Sequence, residues 1–157
     1  MTISPPTPYA TLATVEQLKS ANQDFEFYPT TAEQLQIING DIQTILKTHE
    51  FCHSYDQKIR VLDIGSGDGR TLNSIAESLE AINSDRIRVT KLAIEKSTLH
   101  IGSYRKQSIN LVGTDFFETN LISKNTDVAF CNPPFSQFSS FIQTIISQLN
   151  FKLFYAI

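Results

Sequence analysis

The stretch Val61-Leu62-Asp63-Ile64-Gly65-Ser66-Gly67-Asp68-Gly69 constrains the fold of this chain more than any other. A short apolar run breaks into alternating glycines, and behind them Leu72, Ile75, Ala76, Leu79 and Ile82 recur at helical spacing. An apolar run of that length reads as a strand covered on both faces, and a strand that feeds straight into a helix is half of a β-α-β unit. Glycines at such a turn let the backbone approach a ligand closely. The spacing is G-x-G-x-G and not G-x-G-x-x-G, so the dinucleotide fingerprint is not met. Taken alone, the turn fits a tight βα connection as well as a ligand loop.

The same alternation continues along the chain. Residues 1–26 read as an amino-terminal arm, Pro/Thr-rich to about residue 13, with a short helix over Val15 to Ala21. Thr30-Thr31-Ala32-Glu33 fits a capping box opening a longer helix with Leu35, Ile38, Ile42, Ile45 and Leu46 on one face, and Gly40 is a candidate break in it. Strand 61–64 and helix 70–82 are followed by strand 87–94, a helix over about 98–106, strands 110–114 and 127–131, helix 137–149 and strand 151–157. Such an order predicts one α/β domain over 27–157, a Rossmann-like parallel sheet with helices on both faces. No internal repeat is visible.

A second motif, Asn132-Pro133-Pro134-Phe135, follows the apolar strand Asp127-Val128-Ala129-Phe130-Cys131 and precedes a helical pattern. Consecutive prolines remove two backbone donors and stiffen the loop, so it holds acceptors. An asparagine side-chain oxygen beside a rigid carbonyl suits an NH2 group with two hydrogens to give. Phe135 adds a flat face for a planar amide or base. Asn132, Pro133, Pro134 and Phe135 are therefore the candidate catalytic residues.

The glycine turn, the N-P-P-F loop and their order resemble the S-adenosylmethionine-dependent amino-methyltransferases that act on N6 of adenine in DNA, with cousins acting on RNA bases and on protein glutamine. The resemblance runs from about Phe27 to the end of the chain. It implies that Gly65, Ser66, Gly67 and Gly69 lie against the methionine end of S-adenosyl-L-methionine and that Asp63 organises the turn. It implies that Glu95, at the end of Lys91-Leu92-Ala93-Ile94-Glu95, accepts from the ribose hydroxyls, with Lys96 beside it. Asp115, closing Leu111-Val112-Gly113-Thr114-Asp115, then accepts from the adenine amino group, and Phe116 packs on the ring. Phe27-Tyr28-Pro29-Thr30 resembles the segment covering the methionine moiety, though without the family's usual T-P ending, and adds Tyr28 and Asn132 to the cofactor set. The family's sheet has seven strands, so the chain, ending at Phe151-Lys152-Leu153-Phe154-Tyr155-Ala156-Ile157, is expected to be incomplete at its carboxyl end. Its last strand would then be an exposed apolar edge open to self-association or to a partner chain.

Composition decides less. At 157 residues the chain suits one domain. No stretch is long and apolar enough to span a bilayer, and Met1-Thr2-Ile3-Ser4-Pro5-Pro6 has no basic region before an apolar one, so a cytoplasmic enzyme without membrane contact is expected. Two cysteines, Cys52 and Cys131, are no disulfide framework. A net charge of −3 gives no evident phosphate-binding face: Arg86, Arg88 and Lys91, like Lys96, Arg105 and Lys106, read as solvated surface. DNA binding would then need additional recognition polypeptide. His49-Glu50-Phe51-Cys52-His53 matches H-E-x-x-H, but the helix is ending there and His100 lies in another helix, so no metal is expected. Besides methyl transfer to DNA, an RNA base or a protein glutamine, one reading of a different class stays open: a methyltransferase-like module kept for binding or assembly.

Overall fold

The computed structural model describes residues 8–21, 28–48, 57–83 and 85–157. Strands β1 (Gln57–Ile64), β2 (Ile87–Ile94), β3 (Asn110–Gly113), β4 (Val128–Cys131) and β5 (Leu153–Ala156) form one sheet in the order β3-β2-β1-β4-β5. Every pairing is parallel. A central parallel strand must be apolar on both faces, and Val61, Leu62 and Ile64 of β1 are wholly buried.

The two-residue period of the strands sorts the core into two layers. Ile59, Val61, Ala93, Val128 and Phe130 point to one side, where they meet Ile38, Ile42 and Leu46 of α2 (Ala32–Thr48) and Leu72, Ile75 and Leu79 of α3 (Arg70–Glu80). Leu62, Ile64, Leu92, Ile94, Ala129 and Cys131 point to the other, against Phe141 and Ile145 of α5 (Phe138–Gln148). Each fully buried aliphatic or aromatic side chain is worth roughly 1.5–3 kcal/mol, so these two layers hold the three-layer sandwich together.

The strand order reverses at β1: β2 and β3 are added on one side, β4 and β5 on the other. That reversal opens a crevice between the carboxyl ends of β1 and β4, the place where α/β sheets bind ligands.

Several elements differ from expectation. The short helix expected over Val15 to Ala21 begins earlier: α1 (Pro8–Ser20) also takes in residues 8–13, which were expected to be loose, and Leu18 is buried. The capping box lies one residue later than predicted: Thr31 N–H donates to Gln34 Oε1 at 2.9 Å and Gln34 N–H to Thr31 Oγ1 at 3.3 Å. Helix α2 runs through Gly40, where an added Cβ would meet nothing within 4 Å, so the glycine lowers propensity without breaking the helix. The helix expected over about 98–106 is two pieces, α4 (Thr98–Ile101) and a 3-10 turn, Tyr104–Gln107. Ser103 Oγ donates to the His100 carbonyl at 2.9 Å, an alternative to a continued helical ladder.

Strand β5 is an edge of the sheet, paired with β4. Leu153, Phe154 and Tyr155 are half-buried, and Tyr155 Oη is 2.7 Å from Asp41 Oδ2 on α2.

Candidate active site

At the strand reversal lies a cleft of about 390 Å³. The β1 end supplies Asp63, Gly65, Ser66 and Asp68, and α3 begins with Arg70 and Thr71 on its wall. Ile94, Glu95, Lys96, Ser97 and His100 come from the end of β2, and Thr114, Asp115, Phe116 and Phe117 from the end of β3. The β4 end adds Phe130, Asn132 and Pro134, with Ser136, Gln137 and Phe141 beyond it, and Tyr28-Pro29-Thr30 closes the ring. The glycine turn and the proline loop thus meet, as an added Cβ on Gly65 would lie 3.9 Å from the Asn132 carbonyl oxygen.

The glycines earn their place by conformation. Gly65, Gly67 and Gly69 have φ of 77°, 53° and 83°, a region open to glycine and strained for most L-residues. The turn's donors are spent internally: Gly65 and Ser66 N–H both reach the Ile94 carbonyl (2.8 and 3.2 Å), and Gly67 N–H reaches Glu95 Oε2 at 2.7 Å. Gly69 N–H donates to the Ser66 carbonyl at 3.0 Å. With these amides occupied, the turn is no phosphate cradle. Gly67 and Gly69 do not line the cleft; at Gly69 a Cβ would come within 2.6 Å of Ile109 Cδ1 and 2.8 Å of Gln107 Oε1.

The acids divide their roles otherwise than expected. Asp63, expected to organise the turn, makes no hydrogen bond with either carboxylate oxygen among the described residues, although it is 1% exposed. Glu95 organises the turn instead, holding Gly67 N–H on one oxygen and Ser97 N–H on the other, each at 2.7 Å. Asp63 stands inside β1, on the face of Ile59 and Val61, whereas Glu95 lies just past the end of β2, where its carboxylate reaches the turn amides. Burial pushes the Asp63 carboxyl well above its usual range, and Glu95 and Asp68 push the same way.

The remaining acids have cationic partners. Arg70 Nε lies 2.9 Å from Asp68 Oδ2, and Lys96 Nζ 3.1 Å from Asp115 Oδ2. The Lys96 hydrogen bond lowers the Asp115 pKa, and Phe117 N–H adds a bond at 3.0 Å. Burial also lowers the His100 pKa, favouring the neutral imidazole on this wall. Phe116 is buried and stacks on Phe141 at 4.0 Å and 16°, with Phe117 edge-on to both.

In the proline loop, Asn132 Nδ2 donates to the Tyr28 carbonyl at 2.7 Å, leaving Oδ1 with no partner among the described residues. The amide is thereby oriented with its acceptor available. Pro133 is buried off the wall, while Pro134 lies on it. Phe135 is also off the wall: it is 68% exposed and leans on Tyr28, rings 5.3 Å apart and tilted by 37°. The cause is the 3-10 turn Phe135–Gln137, which swings the ring outward to the rim.

Of the expected site residues, Tyr28, Asp63, Gly65, Ser66, Glu95, Lys96, Asp115, Phe116, Asn132 and Pro134 come together on this wall. Sequence reasoning missed Phe117, Phe141, Thr71, His100 and Tyr104. The Phe116-Phe117 pair was a usable hint for the first; the others carry no local motif. Phe27, His49, Glu50, Cys52 and His53 lie outside the described residues. No group of three or more His, Cys, Asp or Glu fit to hold a metal occurs among the described residues.

No family model matches the chain, and no curated protein is similar to it in sequence. Solved structures share its fold. The plantazolicin methyltransferase BpumL, solved with a triazolic desmethylPZN analog and SAH, is 17% identical with a TM-score of 0.53, over 92% of this chain and 50% of that one. The CurJ carbon methyltransferase is 17% identical with a TM-score of 0.54, over 88% of this chain and 38% of that one. The DszA carbon methyltransferase is 15% identical with a TM-score of 0.51, over 90% and 40%. This chain spans half or less of the length of each. The fold is that of the Rossmann-like S-adenosylmethionine methyltransferases, with a five-stranded parallel sheet between helical layers.

Proposed function

We propose that this chain carries the cofactor cleft and the amine-accepting loop of an S-adenosylmethionine-dependent methyltransferase. The observation that carries the reading is Asp63, a buried carboxylate with no hydrogen-bond partner among the described residues, on the wall of a cleft in this fold. Burying a lone carboxylate costs stability, and a cationic ligand offsets that cost. S-adenosylmethionine is such a ligand, with an ammonium and a sulfonium.

The residues present fit the rest of that molecule. Asp63, Gly65 and Ser66 suit its amino-acid end. Glu95 keeps lone pairs beyond its two backbone bonds and suits the ribose hydroxyls. Asp115 and the Phe116–Phe117–Phe141 cluster suit the adenine. Tyr28-Pro29-Thr30 lines the cleft from the far side. When bound, S-adenosylmethionine supplies an electrophilic methyl group.

Asn132 does the work on the acceptor side. An aromatic amine is a weak nucleophile because its lone pair is delocalised. Asn132 Oδ1, aimed by the Tyr28 carbonyl, accepts one N–H and favours the pyramidal nitrogen. No strong base is required, since the proton leaves after the methyl arrives. Phe135 and Tyr28 at the rim offer flat faces to a planar acceptor.

The acceptor we favour is N6 of adenine in DNA, on the strength of the Asn132-Pro133-Pro134-Phe135 loop. An RNA base amine or a protein glutamine would use the same chemistry. The carbon methyltransferases among the structural neighbours mark a second reading, since the fold serves either acceptor. Lys91 and Lys96 are engaged within the protein and the net charge is −3, so DNA would be held by additional polypeptide.

Calorimetry with S-adenosylmethionine tests the cofactor, and tritiated methyl transfer to DNA, tRNA, rRNA and protein extracts, with digestion of the product, tests the acceptor. Label recovered as N6-methyladenine supports the favoured reading. Label on carbon moves the chain to the second. No binding at millimolar cofactor would sink both.

A further inference from the structure

Tyr104 belongs to a short 3-10 turn, yet its ring is 2% exposed in the core layer beneath α2 and α3. Its hydroxyl reaches the glycine turn, donating to the Gly67 carbonyl at 2.6 Å and lying 2.5 Å from Ser66 Oγ. A phenol has a single hydrogen. Since Gly67 receives it, the Ser66 hydroxyl must donate in the second bond. Burial pushes the Tyr104 pKa well up; the Ser66 bond opposes this in part, and Glu95, Asp63 and Asp68 reinforce it. The phenol hydrogen therefore stays in place wherever the chain is folded.

Two consequences follow. Gly67 is held on both sides of its Cα, its N–H by Glu95 and its carbonyl by Tyr104. Ser66, on the cleft wall, has spent its only hydrogen and shows a ligand lone pairs alone. Asp63, on the same wall, has no protein partner for either oxygen among the described residues and, in its ionised form, accepts from a ligand.

We infer that Tyr104 is a positioning residue that clamps the glycine turn and sets the polarity of Ser66, so that this end of the cleft takes a primary ammonium and refuses a carboxylate. The inference rests on the cofactor reading in one respect: the ammonium is that of the cofactor's amino-acid end.

Tyr104→Phe keeps the ring in the core and removes only the hydroxyl. In the ligand-free chain, exchange of the Gly67 amide, measured by NMR relative to the Leu92 amide in β2, should quicken by about tenfold, the scale of one hydrogen bond. An unchanged ratio overturns the clamp. Calorimetry then compares S-adenosylhomocysteine with its analogue lacking the α-amino group. The unsubstituted chain should prefer the amino form by about tenfold or more. In Tyr104→Phe that preference should shrink several-fold, because Ser66 is free to donate. A preference unaltered by the substitution overturns the polarity assignment. If neither ligand binds the unsubstituted chain, the cofactor reading and the ammonium assignment fall together, while the exchange measurement still decides the clamp.

Discussion

The two loops that meet at the strand reversal are built in opposite ways. The glycine turn is buried and over-determined: its amides go to Ile94, Glu95 and Ser66, and its Gly67 carbonyl goes to Tyr104. The proline loop is stiff by covalent constraint, and among the described residues its Asn132 side chain is tied to the rest of the protein by one hydrogen bond to Tyr28. Its aromatic, Phe135, stands in solvent. Internal hydrogen bonding gives a surface of fixed shape and polarity, suited to one constant ligand. Proline rigidity with an exposed rim keeps one acceptor aimed while the surroundings adapt to what docks there.

The sharpest break between the loops should come from Asn132→Ala. It deletes the one aimed acceptor, so methyl transfer should fall by about a hundredfold or more while cofactor affinity, read by calorimetry, stays unchanged. Turnover that survives would remove the proline loop from the chemistry.

Glu95→Ala attacks the other loop at its centre, removing acceptors from Gly67 and Ser97 and from the proposed hydroxyl contacts. At about 1.5–3 kcal/mol per bond to a charged group, cofactor affinity should drop by one to two powers of ten, and the melting temperature should drop with it. An affinity loss with an unmoved melting temperature would show that Glu95 holds ligand and not turn.

Asp63→Asn should separate stability from binding. The folded-state pKa of Asp63 is raised, so the folded chain holds this proton more tightly than the unfolded one. Stability is therefore greatest below the unfolded carboxylate pKa and declines as pH rises from there to the raised value. The substitution should abolish that decline and raise the melting temperature near neutral pH, by about 2–4 °C for each kcal/mol in a domain of this size. Binding of a cationic ligand should weaken, and its improvement with rising pH should vanish. A variant less stable than the parent at neutral pH would contradict the unpaired state of Asp63.

The smallest effect should be that of Phe135→Ala. The ring is exposed, so stability should stay within about 0.5 kcal/mol of the parent. The acceptor KM should rise a few-fold if the rim stacks on it, with kcat and cofactor affinity unmoved. A changed cofactor affinity would place the ring inside the cleft.

Much of the frame was legible. Helix 70–82 was predicted against Arg70–Glu80 in the structure, and strand 87–94 against Ile87–Ile94, because long runs with a clean period leave little choice of partner layer. Boundaries failed where a side chain outcompeted the pattern, as Ser103 did after α4 and Gln34 did at the start of α2. Ten of the residues expected at the site line one cleft in the structure, brought there from four strand ends and the segment before α2. Asp63 was expected to organise the turn and Glu95 to face the ribose hydroxyls, and it is Glu95 that holds the turn amides.

By itself the sequence determined the strand-turn-helix order, the two apolar periods that sort the core, the alternating glycines and the proline-stiffened loop. These follow from local sterics and periodicity, which act within a few residues along the chain. Only the tertiary structure decided which acid clamps the turn, which is left bare, and where the Ser66 hydrogen goes. Gly67 and Glu95 are 28 residues apart, and Gly67 and Tyr104 are 37. A hydrogen-bond partner or a desolvated carboxylate is a property of what packing brings together, and no spacing along the chain encodes it.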